Sequence, residues 1–317
     1  MKRFNQPVYW GCWLLVVFMV MAGCQRQETP ADELGGGFLG LEDPLGFSVS
    51  VRPDDLTSIV ALTPAVTGIL IDLGLADELV AVDTHSALMF EALGDVVAVD
   101  LFNLDVESLV ALAPGLIIAH DMIAMGNMTD DPLQPLRDLG VAVAYLPAAT
   151  SFEDISRDIH FLGTLTQRID EAMALAANFQ RELLEIADLV MANETHPTVY
   201  FEISPVPDLF TFGGETFQQA MIEKAGAVNV FADQVGWFPV EAESVVASNP
   251  DVILTNAGWM ADPVADILGR SGWEGMNAIS NERVYYIDEN ASSIPNHHVV
   301  IALRMMVQAL HGDVPHE

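Results

Sequence analysis

The sequence predicts an α/β fold made of two similar lobes of parallel-type sheet flanked by helices, joined by one long backbone helix. Three observations predict it. Short apolar runs alternate with helical stretches from Thr57 onward, the stretch Arg168 to Asn193 reads as one uninterrupted helix, and a short pattern recurs on both sides of that helix. The long stretch holds no Gly or Pro and sets Ile169, Met173, Ala176, Phe179, Leu183, Ile186 and Val190 at three- and four-residue steps, the period of one apolar helix face. At about 1.5 Å per residue such a helix reaches roughly 35 to 40 Å, long enough to span a lobe rather than to cover one strand.

The whole-chain composition bounds the rest. With 317 residues and 51% hydrophobic content, the chain can bury two cores and is not disordered. Formal charge is −33, which excludes nucleic acid as a partner because phosphate contacts need a basic surface. Lys2 and Lys224 are the only lysines, so missing cations contribute to the acidity as much as added carboxylates do. Dense surface charge of this kind keeps a protein soluble and fits a salt- or alkali-adapted source.

Residues 1–23 have the layout of a bacterial secretory signal: Lys2 and Arg3, an apolar core from Trp13 to Met21, then Ala22 and Gly23. That core is too short for a comfortable membrane span. The tetrad Met21 to Cys24 resembles the lipobox of bacterial lipoproteins, which implies cleavage before Cys24 and its lipidation. Cys12 leaves with the signal, so no internal disulfide can form, and the folded part stands on the outer side of a membrane. Residues 24–53, with the run Gly35-Gly36-Gly37 and no periodicity, read as a flexible tether.

Residues 54–150 form the predicted N-terminal lobe. Strand runs at 58–62, 78–83, 96–99, 116–119 and 141–146 alternate with helices opened at Thr63-Pro64, near Asp105 and near Leu133. Residues 151–196 are a helical connector that includes the backbone helix. Residues 197–317 form the C-terminal lobe, with strands at 198–203, 251–255 and 283–288 and helices from Thr216 to Ala225 and from His298 to Leu310. Asp105 to His120 aligns with Glu241 to Asn256 at six identical positions of sixteen, each copy a helix, a proline and a buried strand. Duplication of one α/β unit accounts for this better than a shared fold class does.

In open parallel sheets ligands bind beyond the carboxyl ends of the strands. Those loops carry His85, Met89, Phe90, Phe102 and His120 in the first lobe, and Phe210, Trp237, Trp259, His297 and His298 in the second. Large apolar groups with a few polar tips suit a cleft for a bulky, partly apolar ligand. No catalytic constellation accompanies them: the chain has no P-loop, no HExxH, no GxSxG and no free cysteine nucleophile, so an enzyme is not expected. An alternative is a bare transition-metal ion held by His85, His120, His297 and His298, with Met122, Met125 or Met128 as soft ligands. A chelate-processing enzyme on the same scaffold is a third reading.

These features together resemble the class III extracytoplasmic solute-binding lipoproteins, in the branch that serves importers of cobalamin, ferric siderophores and haem. The resemblance rests on Ser58–Asp83, Asn103–Ala119, Ile203–Asp233 and Val240–Thr255. It implies a monomer with no intrinsic cofactor that captures a metal chelate and docks on an ABC importer permease with its ATPase. The docking glutamates of that family match Glu107 and Glu243, equivalent positions of the internal repeat, and aromatic cleft residues match Phe210 and Trp237. Where relatives often carry an Arg in the last cleft loop this chain has Ile294, followed by Pro295, Asn296, His297 and His298. With no Arg or Lys in the cleft loops, a triply anionic ferric catecholate is disfavoured, and a corrinoid or a neutral or cationic iron chelate fits better.

Overall fold

The computed structural model describes residues 39–125, 131–193 and 195–312. The predicted signal segment, Cys24, the triple glycine and Met128 lie outside these residues. The first described element is an antiparallel hairpin of β1 (Leu39–Glu42) and β2 (Ser48–Val51), with Leu39 opposite Val51. This corrects the expected tether, which ran to residue 53. Alternation along β2 buries Val49 and Val51, and the buried Asp43 carboxylate in the turn accepts from the backbone N–H groups of Leu45, Phe47 and Tyr145 at 3.0, 2.9 and 2.8 Å. One carboxylate thus closes the turn and fastens it to a strand 102 residues away, a connection that composition does not reveal.

The first lobe follows as β3 (Ile59–Leu62), α1 (Pro64–Asp72), β4 (Leu79–Asp83), α2 (Thr84–Met89) and β5 (Val97–Val99). It continues with α3 (Val106–Ala111), β6 (Leu116–His120), α4 (Asp121–Met125), α5 (Gln134–Asp138) and β7 (Ala142–Leu146). Two connecting helices, α6 (Phe152–Leu165) and α7 (Ile169–Met191), lead to the second lobe. That lobe comprises β8 (Thr198–Glu202), β9 (Phe210–Phe212), α8 (Phe217–Lys224), β10 (Val228–Asn229), β11 (Trp237–Pro239) and α9 (Ala242–Ser248). It ends with β12 (Val252–Thr255), α10 (Pro263–Leu268), α11 (Asn277–Ser280), β13 (Val284–Tyr286), α12 (Glu289–Ser293) and α13 (Val299–His311).

Both main sheets are parallel, in the orders β5-β4-β3-β6-β7 and β10-β8-β12-β13. Matching β3 to β8 makes the second order a copy of the first without its edge strand. Local geometry repeats too. Ala113 and Asn249, at the same position of the repeat, both adopt left-handed backbone at φ +49° and +43° just before a proline. The first helix of each lobe, α1 or α8, ends on a left-handed glycine, Gly74 or Gly226, and the next N–H reaches back to a carbonyl five residues earlier: Leu75 to Leu70 at 3.0 Å, Ala227 to Ile222 at 3.1 Å.

The interior strands β3, β6, β8 and β12 are buried on both faces, which is why they read as continuous apolar runs rather than alternating ones. Period-two alternation still sorts their side chains between layers. Val60, Leu62, Ile117 and Ala119 pack with Leu109 and Leu136 on one face of the first sheet, and Tyr200 and Ile253 pack with Ile267 and Trp273 on one face of the second. On the other faces, Ile59, Ala61, Val199, Phe201, Val252 and Leu254 belong to a single apolar core that is continuous through α6, α7 and α13.

The backbone helix buries Ala172, Ala176, Phe179, Leu183 and Ile186. Its first turns differ from expectation: Ile169 and Met173 are 55% and 58% exposed, because α7 crosses α6 so closely at its start that only an alanine fits the seam. A Cβ built on Gly163 would stand 2.2 Å from the Ala172 Cβ. Replacing a helical Gly by Ala ordinarily stabilises by up to about 1 kcal/mol, whereas overpacking costs roughly 1–3 kcal/mol. Gly163→Ala is therefore expected to lower stability in urea denaturation by about 1–2 kcal/mol net; a gain in stability would show that the two helices can part.

Candidate functional site: the strand-end loops of the two lobes

Parallel strands bring their carboxyl ends to one edge of each sheet; His85, Phe102 and Trp259 follow β4, β5 and β12, and His120 ends β6, whereas Phe210 and Trp237 belong to the β9-β11 hairpin and His297 and His298 to the turn before α13. Around them the protein exposes apolar surface that its core could have absorbed. Asp83, at the end of β4, caps α2 by accepting from the Ser86 N–H at 3.0 Å, and its other oxygen accepts from the Ser86 hydroxyl. This fixes the first turn of α2, from which His85 projects into solvent, with Leu88 83% exposed one turn later. After β5, the Asp100 carboxylate accepts from the Phe102 N–H at 2.9 Å and leaves the Phe102 ring 99% exposed.

His120 ends β6. Its Nδ1 accepts from the Met122 N–H at 3.1 Å and stands 2.7 Å from Asp121 Oδ1. Both neighbours claim the same ring nitrogen, so Nε2 is the one left for a ligand. Met122 is 73% exposed, and the side chain of Met125 lies outside the described residues. In the second lobe β9 and β11 form an antiparallel hairpin, with Phe210 opposite Pro239 and Trp237 opposite Phe212. Phe212 is buried against Phe201, Phe210 is half-buried, and Trp237 is 54% exposed on the strand opposite.

Trp259 follows β12 and is 60% exposed. Gly258 beside it permits a close approach to the next loop: a Cβ there would stand 2.5 Å from Glu289 Oε2 and 2.9 Å from the Tyr286 hydroxyl. Tyr286, at the end of β13, is partly exposed, and its hydroxyl accepts from the Glu289 N–H at 3.2 Å. Tyr286 carries no signal in the sequence, where it lies inside the predicted strand run 283–288; only in the structure does it end the strand.

The structure divides the four histidines. His297 and His298 do not join His85 and His120; their Nε2 atoms lie 2.6 and 2.9 Å from the same oxygen of Asp72, the last residue of α1. Among the described residues, Asp72, His297 and His298 are the grouped metal-type side chains, so the four-histidine site is corrected. The sequence could not show this, because Asp72 sits over 200 positions away on a helix end. Hydrogen bonds from His297 and then His298 hold the Asp72 carboxyl well below the usual carboxylate range.

Near this group the lobes meet across a small cavity of about 200 Å³, with Met89 and Phe90 on one side and Ile294, His298 and Ile301 on the other. That is less than a drug-sized ligand needs. The cation at the end of β8 is committed elsewhere. Arg270 is buried and donates to both oxygens of Glu202, at 2.5 and 2.8 Å, and also to Asp266. Burial pushes the Glu202 carboxyl up, against the pull of that guanidinium.

Glu107 and Glu243 are both exposed, each the second residue of its helix, α3 or α9. Asp105 caps α3 by accepting from the Glu107 N–H at 3.1 Å; α9 has no side-chain cap. Acid in a first helical turn complements the helix dipole.

Comparison with known proteins agrees with this architecture. The chain belongs to the periplasmic binding protein family, whose pattern it matches over residues 59–291. It is 28% identical to an uncharacterized ABC transporter substrate-binding lipoprotein of Bacillus subtilis (strain 168), over 96% of this chain and 97% of that protein. It is 29% identical to a vitamin B12-binding protein of Vibrio parahaemolyticus over 69% of this chain and 78% of that one. A possible iron-binding periplasmic solute-binding protein from Staphylococcus epidermidis has the same fold at a TM-score of 0.69 and 30% identity, covering 80% of this chain and 98% of that one. This is a substrate-binding protein of the ABC-importer type, and its relatives are transport proteins.

The tryptophans allow a direct check of the exposed surface. Trp237 and Trp259 are solvent-exposed, while Trp273 is 3% exposed under the Arg270 guanidinium. In protein lacking residues 1–23, acrylamide should quench an accessible component that Trp237→Phe with Trp259→Phe removes, leaving a shielded component from Trp273. Uniform quenching of all three would contradict this placement.

Proposed function

We propose that this protein captures a bulky metal chelate on the strand-end loops of its two lobes and hands it to an ABC importer permease with its ATPase. A corrinoid is the favoured chelate, with a neutral or cationic iron chelate or haem next. The observation that carries this reading is the set of exposed apolar side chains Leu88 on α2, Phe102 after β5, Met122 on α4, Trp237 on β11 and Trp259 after β12, of which the first, second, third and last lie in the segments that follow β4, β5, β6 and β12. Exposed apolar side chains concentrated in one region of a soluble protein mark a binding surface, and a large planar or ring-like ligand supplies the area to cover them. The absence of a free cation among the described strand-end residues disfavours a highly anionic ligand. His120 Nε2 and His85 are the polar tips available to an axial or edge position of such a chelate. In this reading binding and release is the whole chemical task.

The membrane-anchor reading rests on Cys24 and on the lipoprotein name of the Bacillus relative. In it, the folded part works as a monomer on the extracytoplasmic side, tethered through the lipid. Glu107 and Glu243 are the proposed permease contacts, because equivalent carboxylates on duplicated lobes suit a partner with two-fold symmetry.

Two experiments test these proposals. Tryptophan emission titrated with cobalamin, haem and ferric siderophores should change on binding of the cognate chelate, and Trp237→Ala with Trp259→Ala should weaken binding at least tenfold; no response to any of them removes the chelate class. Glu107→Arg with Glu243→Arg should leave chelate affinity within about twofold while reducing uptake in cells, since reversing rim charge acts on encounter and specificity. Uptake at the original rate would refute the docking assignment.

A further inference from the structure

Asp72, His297 and His298 form a cluster that chelate binding and permease docking do not use. It joins the two lobes. Asp72 closes α1 of the first lobe, and the histidines precede α13 of the second. The turn that carries the histidines is rigid: Asn296 is buried, its Oδ1 accepts from the His298 N–H at 2.9 Å, and its amide nitrogen packs against Gly68 in the middle of α1. His297 is 7% exposed and its Nδ1 has no hydrogen-bond partner. The two rings lie 4.2 Å apart, centroid to centroid, and both direct Nε2 at Asp72 Oδ2.

Two imidazoles aimed at one carboxylate oxygen bring two ring nitrogens and an anion to a common point; the Nε2–H groups that donate to Asp72 give up those protons when the nitrogens ligate an ion, and the three ligand atoms lie within 4.8 Å of one another. The geometry points to an inter-lobe site for a zinc-class divalent transition-metal ion, ligated by His297 Nε2, His298 Nε2 and an Asp72 oxygen, with water completing the coordination. Tetrahedral bonds of about 2.0–2.1 Å place neighbouring donors roughly 3.3 Å apart. The present separations of 2.6 and 2.9 Å need to open by about 0.7 and 0.4 Å, and the Asp72 side chain is 38% exposed. Two imidazoles and one carboxylate favour zinc, cobalt or nickel over magnesium or calcium, which prefer all-oxygen shells. Such an ion is structural rather than cargo: bonds from both lobes to one metal fix their separation at the edge of the inter-lobe cavity.

The test uses the chain from residue 24 onward, stripped with a chelator and dialysed against zinc chloride in excess magnesium, which occupies the acidic surface. One zinc per chain should be retained, and its affinity should fall at least tenfold in Asp72→Asn and in His298→Asn. Both positions are partly exposed, so circular dichroism should show folded variants. His120→Asn, in the strand-end loops, should leave zinc binding unchanged. Cobalt substitution gives a second readout: a visible d–d spectrum in the unaltered protein that Asp72→Asn abolishes. The proposal is overturned if no zinc is retained under these conditions, or if the retained zinc persists in Asp72→Asn. Loss of zinc binding in His120→Asn with Asp72→Asn unaffected would overturn it as well, by placing the ion among the loops.

Discussion

The rest of the molecule depends on one apolar layer that does not stop at the boundary between lobes. Ile59 and Leu116 from the first sheet, Phe179 and Leu183 from α7, and Val199 and Leu254 from the second sheet belong to the same buried core. Apolar burial contributes roughly 25 cal/mol per Å² removed from water, so a seam of this kind resists separation of the lobes far more than a polar contact does. Sheets fixed by a shared helix move by small shear rather than by a wide hinge, because a packed core is not continuously deformable. The close crossing of Gly163 over Ala172 sets where that helix starts, and so sets the spacing of everything attached to it.

Holding the sheets in this way leaves their strand ends as the place where chemistry can vary. The interior strands are sealed on both faces, and the helices on their outer faces use their apolar sides for packing. Loops at the carboxyl ends carry no such duty. Their exposed rings are held by short, specific polar contacts: Asp100 under Phe102, Asp83 at the start of α2, and Glu289 with Tyr286 beside Gly258. Each contact uses a carboxylate or a backbone group and leaves the apolar side chain free to meet a ligand. Preorganised loops of this kind lower the entropy that binding must overcome.

Charge is distributed unevenly between structure and surface. Arg270 neutralises the buried Glu202, Arg137 pairs with Asp131 beside Tyr145, and Arg304 reaches Glu182 and Glu185 on α7. A buried carboxylate without such a partner would cost several kcal/mol, so the few arginines present are placed where carboxylates must be buried or crowded. Asp43 and Asp83 are buried without an arginine and are held by backbone N–H groups and, for Asp83, the Ser86 hydroxyl; exposed acids elsewhere sustain solubility and a negative field. A cationic partner surface is drawn to that field, and anionic ligands are repelled by it.

The sequence alone determined the α/β class, the duplicated lobes, the backbone helix and the exposure of Glu107 and Glu243. Each follows from local periodicity, from punctuation by Pro and Gly, or from repeated residues read in register. It also located Phe102 and Trp259 on strand-end loops, since a parallel sheet dictates where loops fall once its strands are recognised, whereas Trp237 stands on a strand of an antiparallel hairpin that the sequence did not announce. Tertiary structure alone decided the rest. The hairpin at 39–51 buries Val49 and Val51 in the core, and Asp43 fastens its turn to the Tyr145 N–H on a distant strand. Ile169 and Met173 lost their place in the core to Ala172 because a neighbouring helix came too close. His297 and His298 parted from His85 and His120 because Asp72, a helix-end carboxylate with no motif around it, lies across the lobe boundary. Contacts of this range have no signature along the chain: periodicity reports which face of an element is apolar, and only the packed structure reports what that face meets.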